Sequence, residues 1–165
     1  MKGITFKQLD GKNLKIGVVV ARWNSDITYA LRDACVQALH DAGVNEEDIH
    51  LQEVPGSYEV VYGAKHLIEK ENVDAVVAIG VLIKGETMHF EYIADAVSQG
   101  LMKLNTDSDV PVIFGVLTCL TDQQAVDRST GENNHGYAWG QSAVEMARIK
   151  KACTKASVSS EKQKN

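Results

Sequence analysis

The segment Leu14-Lys15-Ile16-Gly17-Val18-Val19-Val20-Ala21 decides the fold class of this chain. It is a β-branched run with little polar alternation, which is typical of a strand buried on both faces of a parallel sheet. A helical pattern follows at once, with Asp26 as its predicted N-cap and Gly43 as the residue that ends it. A buried strand followed by such a helix indicates a β–α unit.

The same order of strand and helix recurs along the chain. Further strands are predicted at 49–54, 74–83 and 110–119, and further helices at 59–71, 90–104, 121–127 and 136–151. Repeated units of this kind with short connections predict an α/β fold of three layers, α/β/α, with a four-stranded parallel sheet of the flavodoxin-like type. Residues 14–151 are predicted to form one domain, preceded by an N-terminal arm (1–13) and followed by a polar, disordered tail (152–165).

The charge balance excludes one class of partner. The 165 residues carry 17 basic and 22 acidic side chains, and a net charge of −5 argues against a surface for nucleic acid. The segment from Arg148 onward carries six basic residues and one acid, so its charge is +5 and the preceding body carries −10. We interpret the basic end as a solvated terminus, the alternative being an anchor to an anionic surface. One small phosphate is still compatible with the acidic body, because a single Arg and a few backbone N–H groups can hold it.

Cysteine usage and hydropathy indicate a cellular compartment. Cys35, Cys119 and Cys153 form no CxxC pair, so neither a disulfide framework nor a zinc site is expected. The first residues lack the apolar core of a signal peptide, and the longest apolar run, Ala75 to Ile83, is too short for a membrane span. We therefore expect a reduced, cytoplasmic protein that binds no metal.

Unusual side chains follow the predicted strands. In parallel α/β sheets, ligands bind beyond the carboxyl ends of the strands, so the loops there are the candidate site. These loops carry, in chain order, Trp23, Ser57, Tyr58, Glu59, Glu86, Thr87, His89, Phe114, Arg128 and His135. An exposed Trp suits stacking on a planar ring, and a His beside a phosphate ester suits proton transfer.

The third loop nearly spells a nucleotide-binding motif. Gly80 to Thr87 fits GxxxxGK[ST] except that Glu86 stands where the lysine must be, and a carboxylate there would repel the terminal phosphates. Triphosphatase activity is thus excluded, and so is a receiver domain, because Ile83 and Lys84 occupy the place of its acceptor aspartate. Gly85, Glu86 and Thr87 still precede a helix, where backbone N–H groups can hold a phosphate, with Arg128 as a second ligand.

Each of these residues also has a plain structural interpretation. Thr87 alone is a normal N-cap, and Glu59 alone compensates a helix dipole. His89 alone is a surface residue, while Trp23 and Phe114 can be core aromatics. The sequence pattern leaves these alternatives open for each residue taken singly.

Taken together, the loops resemble those of the lumazine synthase family. The matching stretches are Ala21 to Asn24, Val54 to Glu59, Gly80 to Glu91, Pro111 to Thr118, and Asn134 to Gly136 with Trp139 and Gly140. The likeness runs from about Leu14 to Ile149. It implies the condensation of 5-amino-6-(D-ribitylamino)uracil with 3,4-dihydroxy-2-butanone 4-phosphate to 6,7-dimethyl-8-ribityllumazine, phosphate and water, in riboflavin biosynthesis, without metal or cofactor. It also implies a homo-oligomer built from pentamers, some of which form shells, with active sites between subunits.

The resemblance assigns a role to each matching position. Trp23 corresponds to the aromatic that stacks on the pyrimidine, and Ser57, Tyr58 and Glu59 to the segment that holds the ribityl chain and ring. The backbone of Val81, Leu82 and Ile83 corresponds to the strand end that reads the uracil edge. The remaining assignments are Glu86 and Thr87 as the phosphate loop, Arg128 as its basic partner, His89 as the proton-transfer residue, and Phe114 as the aromatic from a neighbouring subunit.

The chain departs from the family at a few positions. Trp23 stands where Phe is common, Glu86 replaces a small residue in the phosphate loop, and His135 within Asn-His-Gly is similar to fungal members rather than to bacterial ones with a nearby lysine. Ile4-Thr5-Phe6 can add an edge strand to a neighbour, which agrees with an oligomer.

The alternative function is a flavodoxin-like binding module that holds a flavin or a phosphate ligand without catalysis. Such a module explains Trp23, Thr87 and Arg128 but gives His89 no role.

Overall fold

The computed structural model describes residues 5–6 and 8–162, with side chains described as far as residue 153. Within this part of the chain the strands are β1 (Ile16–Ala21), β2 (Ile49–Val54), β3 (Ala75–Ile83) and β4 (Val112–Cys119). The α-helices are α1 (Ser25–Asp41), α2 (Val60–Lys70), α3 (His89–Asp107), α4 (Asp122–Asp127) and α5 (His135–Lys162). Single 3₁₀ turns lie at Glu46–Asp48, Ser57–Glu59 and Gly131–Asn133.

The four strands form one parallel sheet in the order β2-β1-β3-β4. β1 lies at its centre, with Ile16 opposite Ile49 of β2 on one side and opposite Ala75 of β3 on the other. Every residue of β1 is buried, as its unbroken apolar run predicts. The predicted α/β fold with a four-stranded parallel sheet is therefore confirmed.

Alternate residues of β1 serve the two faces of the sheet. Ile16, Val18 and Val20 pack in a core that contains Leu31 of α1, Ala125 of α4 and Val144 of α5. Val19 and Ala21 pack in a second core with α2 and α3, through Val60, Ala64, Val97 and Leu101. The molecule thus has the three predicted layers, with α1, α4 and α5 on one face of the sheet and α2 and α3 on the other.

The start of α1 differs from the prediction. The N-cap is Asn24 rather than Asp26, and Asn24 adopts the left-handed conformation with φ 58°. Its carbonyl oxygen accepts the N–H groups of Ile27 and Thr28 at 2.9 and 3.0 Å. Asparagine tolerates this conformation better than most residues, and Asp26 instead lies in the first turn, where its charge complements the helix dipole.

Two other boundaries differ from the predicted ones. β4 begins at Val112 rather than at 110, and Phe114, grouped above with the loop residues, lies inside this strand. The helical backbone of α5 continues past Lys151 to Lys162, into the segment predicted as a tail. No Gly or Pro follows Gly140 in the sequence, so nothing there terminates a helix.

Part of the basic end holds the start of the domain. Arg148 donates from Nε to the carbonyl of Asp10 at 2.5 Å and from Nη2 to that of Lys12 at 2.7 Å. Lys151 donates to the carbonyl of Asn13 at 2.8 Å and pairs with Asp74 at 2.9 Å. These two basic residues therefore fasten α5 to the segment that leads into β1.

The predicted edge strand at Ile4-Thr5-Phe6 remains a prediction, since Ile4 lies outside the described residues and no strand is formed at Thr5 and Phe6. None of the helices in the described residues is long and apolar enough to cross a bilayer.

Candidate active site

A cavity of about 680 Å³ lies at the carboxyl ends of the strands. It is lined by Trp23, Asn24, Gly56, Ser57, Tyr58, Glu59, Val81, Leu82, Ile83, His89, Ile93 and Asp122. The structure thus brings together the predicted residues of the first three loops, except Glu86 and Thr87. This is the place where parallel α/β sheets bind ligands.

Trp23 is not a core residue. Its side chain is 73% exposed, and its backbone N–H donates to the carbonyl of Pro55 at 3.1 Å. A Cβ added at Gly56 would lie 3.5 Å from Cδ1 of Trp23, so the glycine passes close beside the indole edge. The loop after β1 is therefore fixed against the loop after β2, with the ring available for stacking inside the cavity.

The wall after β2 is built by a buried serine. Ser57 is 5% exposed and its hydroxyl donates to the carbonyl of Val81 at 3.2 Å. The side-chain amide of Asn24 donates to the same carbonyl at 3.5 Å. Any Cβ at Gly80 would lie 2.6 Å from Oγ of Ser57, so this approach requires glycine. Ser57 and Asn24 together fix the end of β3.

Glu59 has a structural partner as well as a place in the cavity. Its Oε2 accepts the backbone N–H of Gly56 at 2.9 Å, which closes the 3₁₀ turn Ser57–Glu59 in the manner of a capping box. The neighbouring Tyr58 is 57% exposed. The segment from Ser57 to Glu59 therefore forms a rigid wall with one carboxylate and one exposed aromatic ring.

At its carboxyl end, β3 is paired with a neighbouring strand on one edge only. Pairing with β1 stops at Val20 and Ile79, while pairing with β4 continues as far as Ile83 and Cys119. Backbone groups alternate in direction along a strand, so the groups of Ile83 face the same side as the Val81 carbonyl. Ile83 therefore presents main-chain donor and acceptor groups on the cavity side.

His89 lines the cavity from the first residue of α3. Its backbone N–H donates to Oγ1 of Thr87 at 3.4 Å, and the side chain of Lys84 is paired with Glu91 across the intervening loop. This hydrogen bond from Lys84 holds the pKa of the Glu91 carboxyl below its usual range. The loop 84–88 is thus anchored at both ends.

Glu86 and Thr87 are exposed and do not line the cavity. They precede His89, which does line the cavity, by three and two positions. A Cβ added at Gly85 would meet no atom within 4 Å, so this loop borders open space.

Three predicted residues lie away from the cavity in the single chain. Arg128 follows α4, and its Nη1 donates to the carbonyl of Gln124 at 2.8 Å. His135 begins α5 and meets Trp139 edge-on with ring centroids 6.0 Å apart. Burial, and then the charge of Arg128, lower the pKa of His135. The third is Phe114, 42% exposed on β4, in a separate groove of about 220 Å³.

Asn134 positions the segment that carries Arg128. Nδ2 of Asn134 donates to the carbonyls of Ser129 and Ala30 at 2.7 and 3.0 Å, and Oδ1 accepts the N–H of Gly136 at 2.9 Å. The residues after Arg128 are therefore tied to α1.

Sequence reasoning missed four residues that line the cavity: Asn24, Gly56, Ile93 and Asp122. Asn24 and Gly56 lie in stretches that match the family, directly beside the predicted site residues Trp23 and Ser57. Ile93 is one turn beyond His89, so helical spacing was an available signal. Asp122 had no comparable signal, since only the packing of α4 brings it to the cavity.

None of the three cysteines is in a disulfide, and complete burial raises the pKa of the Cys35 thiol to about 12, so this thiol stays protonated. Among the described residues, His, Cys, Asp and Glu side chains form no group of three that can hold a metal ion.

Comparison with known proteins gives the family. The family model for 6,7-dimethyl-8-ribityllumazine synthase matches residues 13–151. A protein of that name from Schizosaccharomyces pombe is 46% identical over 151 residues, which cover 88% of this chain and 94% of its own. Two further proteins of that name are similar: one from Pyricularia oryzae (43% identical, 88% and 92% covered) and one from Flavobacterium psychrophilum (44% identical, 86% and 75% covered). The resemblance seen in the loops is thereby confirmed, and the chain belongs to the 6,7-dimethyl-8-ribityllumazine synthase family.

Proposed function

We propose that the cavity is where this chain, as a transferase of riboflavin biosynthesis, condenses 5-amino-6-(D-ribitylamino)uracil with 3,4-dihydroxy-2-butanone 4-phosphate. The products are 6,7-dimethyl-8-ribityllumazine, phosphate and water. The observation that carries the proposal is the meeting of Trp23, His89 and the uncovered end of β3 in one cavity. The reaction joins an amine to a ketone, releases phosphate and closes a ring, so it needs protons moved and groups oriented but no strong protein nucleophile.

The pyrimidine substrate is assigned to the main cavity. Its planar ring stacks on Trp23, whose face is exposed there. At the strand end Val81, Leu82 and Ile83, the main-chain groups of Ile83 face the cavity and read the edge of the ring. The ribityl chain lies along the wall from Ser57 to Glu59, with the hydroxyl of Ser57 acting mainly to hold the Val81 carbonyl.

The phosphate substrate is assigned to the rim beside His89. Backbone N–H groups of the loop that contains Glu86 and Thr87 precede α3, and such groups bind anions. His89 moves protons between the reacting groups, since an imidazole ring can both donate and accept a proton. Arg128 supplies the positive charge for the leaving phosphate from its own or a neighbouring subunit, and His135 lies beside it. Neither a metal nor a cofactor has a role in this scheme.

We further propose a cytoplasmic homo-oligomer, built from pentamers, with sites between subunits. Phe114 lies outside its own chain's cavity, and it is exposed on the edge strand β4. Met102 of α3 lines the same groove as Phe114, and Tyr62 of α2 and Tyr92 of α3 are further large exposed side chains on that face of the sheet, with exposures of 60, 74 and 72%. Exposed apolar groups of this kind support an interface between subunits, and in the proposed assembly Phe114 completes a neighbour's site.

Light scattering coupled to size exclusion measures this assembly. We expect a mass of five times the 18.0 kDa of the chain, or a larger multiple of a pentamer for a shell. A monomer at micromolar concentration would contradict the shared site.

Enzyme assay of the purified protein tests the function directly. Mixing it with both substrates is expected to produce the fluorescence of 6,7-dimethyl-8-ribityllumazine together with free phosphate, at a rate proportional to the protein concentration. A non-catalytic flavin or phosphate-ligand module would retain a ligand without turnover, and that result would contradict the proposal.

A further inference from the structure

The cavity has an unbalanced charge. Its lining includes two carboxylates, Glu59 and Asp122, and among the described residues that line it there is neither Lys nor Arg. A phosphate dianion placed between these carboxylates is repelled, whereas hydroxyl and amino groups are ordinary donors to them. The cavity therefore favours a ligand rich in hydrogen-bond donors and disfavours a phosphate.

The two carboxylates are not equivalent. Glu59 already accepts the N–H of Gly56 at 2.9 Å and shapes the wall beside Trp23. For Asp122, by contrast, no side-chain hydrogen bond or ion pair is formed within the described residues. Its carboxylate is the one in the cavity with its full acceptor capacity available.

Helix capping does not account for Asp122. The cap of α4 is Thr121, whose Oγ1 accepts the N–H of Gln124 at 3.3 Å. A carboxylate in the first turn gains some energy from the helix dipole, but α4 has only six residues and the gain at an exposed site is small. Neither helix capping nor the helix dipole therefore requires a carboxylate at Asp122.

Asp122 lies on the other face of the sheet from most of the other polar residues that line the cavity. α4 packs through Ala125 into the core shared with α1 and α5, while Ser57, Glu59 and His89 belong to elements on the α2 and α3 side. A ligand that lies over the end of β3 is consequently held between Asp122 and this second wall.

We infer that Asp122 is a substrate-binding residue for the ribityl-bearing pyrimidine, whose hydroxyl or amino groups donate to its carboxylate. Its charge also keeps the phosphate of the second substrate out of the cavity and at the 84–88 loop. The inference rests on the proposed function, and it assigns the two substrates to different sides of His89.

The test uses Asp122→Ala and Asp122→Asn in the full-length protein. We expect Asp122→Ala to raise KM for 5-amino-6-(D-ribitylamino)uracil by roughly tenfold or more, since hydrogen bonds to charged groups have about this effect. The dissociation constant of 6,7-dimethyl-8-ribityllumazine, measured by fluorescence titration without turnover, should rise with it. KM for the butanone phosphate should not rise. Asp122→Asn keeps the shape and should have a smaller effect in the same direction.

Two comparison variants complete the experiment. Asp127→Asn removes a carboxylate from the same helix, where it accepts Nε2 of Gln123 at 2.7 Å away from the cavity, and should behave as wild type. Arg128→Ala should raise KM for the butanone phosphate instead. Unchanged constants for the pyrimidine and the lumazine in both Asp122 variants would overturn the inference, as would a rise confined to the phosphate substrate.

Failure of the inference and failure of the proposed function are distinguishable. If the wild type makes no lumazine, the function is wrong, and the titration with lumazine still reports on Asp122. If the wild type turns over and Asp122→Ala binds lumazine as tightly as wild type does, only the role of Asp122 is wrong.

Discussion

His89→Ala is expected to lower kcat by roughly 10²–10⁴-fold, the usual contribution of a positioned general acid or base. His89 lines the cavity at the start of α3, and it is the imidazole among the described residues that line it. Addition of the amine to the ketone, loss of phosphate and ring closure each move a proton, so removing this group slows the reaction at several steps. Steady-state kinetics with both substrates measures the effect.

Binding should change little in the same variant. Trp23 and the end of β3 are held by their own contacts, which do not involve the imidazole. KM for the pyrimidine substrate and the dissociation constant of the lumazine are therefore expected to stay within a few-fold of wild type. A loss confined to KM with kcat intact would show that His89 binds rather than transfers protons.

His66→Ala provides the control for this experiment. His66 is an exposed histidine on α2 that does not line the cavity. Its replacement removes an imidazole from the same side of the sheet and should leave kcat unchanged. Wild-type turnover in His89→Ala would remove His89 from the mechanism, and the chemistry would then depend on substrate positioning alone.

The fold was predictable because its signal is local. β1 is buried on both faces, and that condition alone requires an apolar run without alternation, which can be read from the sequence. The left-handed Asn24 was not predictable from the same pattern, since Asp26 is an equally good capping residue by composition. Asn and Asp differ by only a few tenths of a kcal/mol as N-cap residues, so tertiary contacts decide which of them caps the helix. Here the contact is the hydrogen bond from the side-chain amide of Asn24 to the carbonyl of Val81.

The site was predictable where residues lie next to strand ends. Trp23, Ser57 and His89 follow β1, β2 and β3 within a few positions, so the edge of a parallel sheet brings them together. The positions of Asp122 and Phe114 depend instead on how their elements pack. The packing of the short helix α4 places Asp122 in the cavity, whereas the edge strand β4 places Phe114 in a separate groove. Such placements arise from the whole fold rather than from spacing along the chain.

Gly136→Ala is expected to destabilise the protein by about 3 kcal/mol or more, because overpacking against a backbone cannot be relieved by rotating a side chain. A Cβ at this position would lie 1.9 Å from the carbonyl oxygen of Leu31 and 2.7 Å from its carbon. The helices α1 and α5 would have to separate. Gly140 meets Cys35 of α1 in the same way, with a Cβ-to-carbonyl oxygen distance of 2.5 Å, so the close approach extends over a turn of α5.

Thermal denaturation measures this effect. For a domain of this size, a loss of about 3 kcal/mol lowers Tm by roughly 6–12 °C. Gly85→Ala is the matched control for stability, because a Cβ there meets no atom within 4 Å, and its Tm should equal that of wild type. An unchanged Tm in Gly136→Ala would show that the two helices can move apart at little cost.

Gly136→Ala should also weaken binding on the phosphate side of the site more than on the pyrimidine side. Gly136 donates its N–H to Asn134, and Asn134 holds the carbonyl of Ser129 next to Arg128. Trp23 and Ser57 are fixed by Pro55 and Val81 instead, so the cavity wall does not depend on this contact. At a temperature where Gly136→Ala is still folded, KM for the butanone phosphate should therefore rise more than the dissociation constant of the lumazine. Equal losses on both sides would mean that α5 supports the whole sheet edge rather than the Arg128 segment.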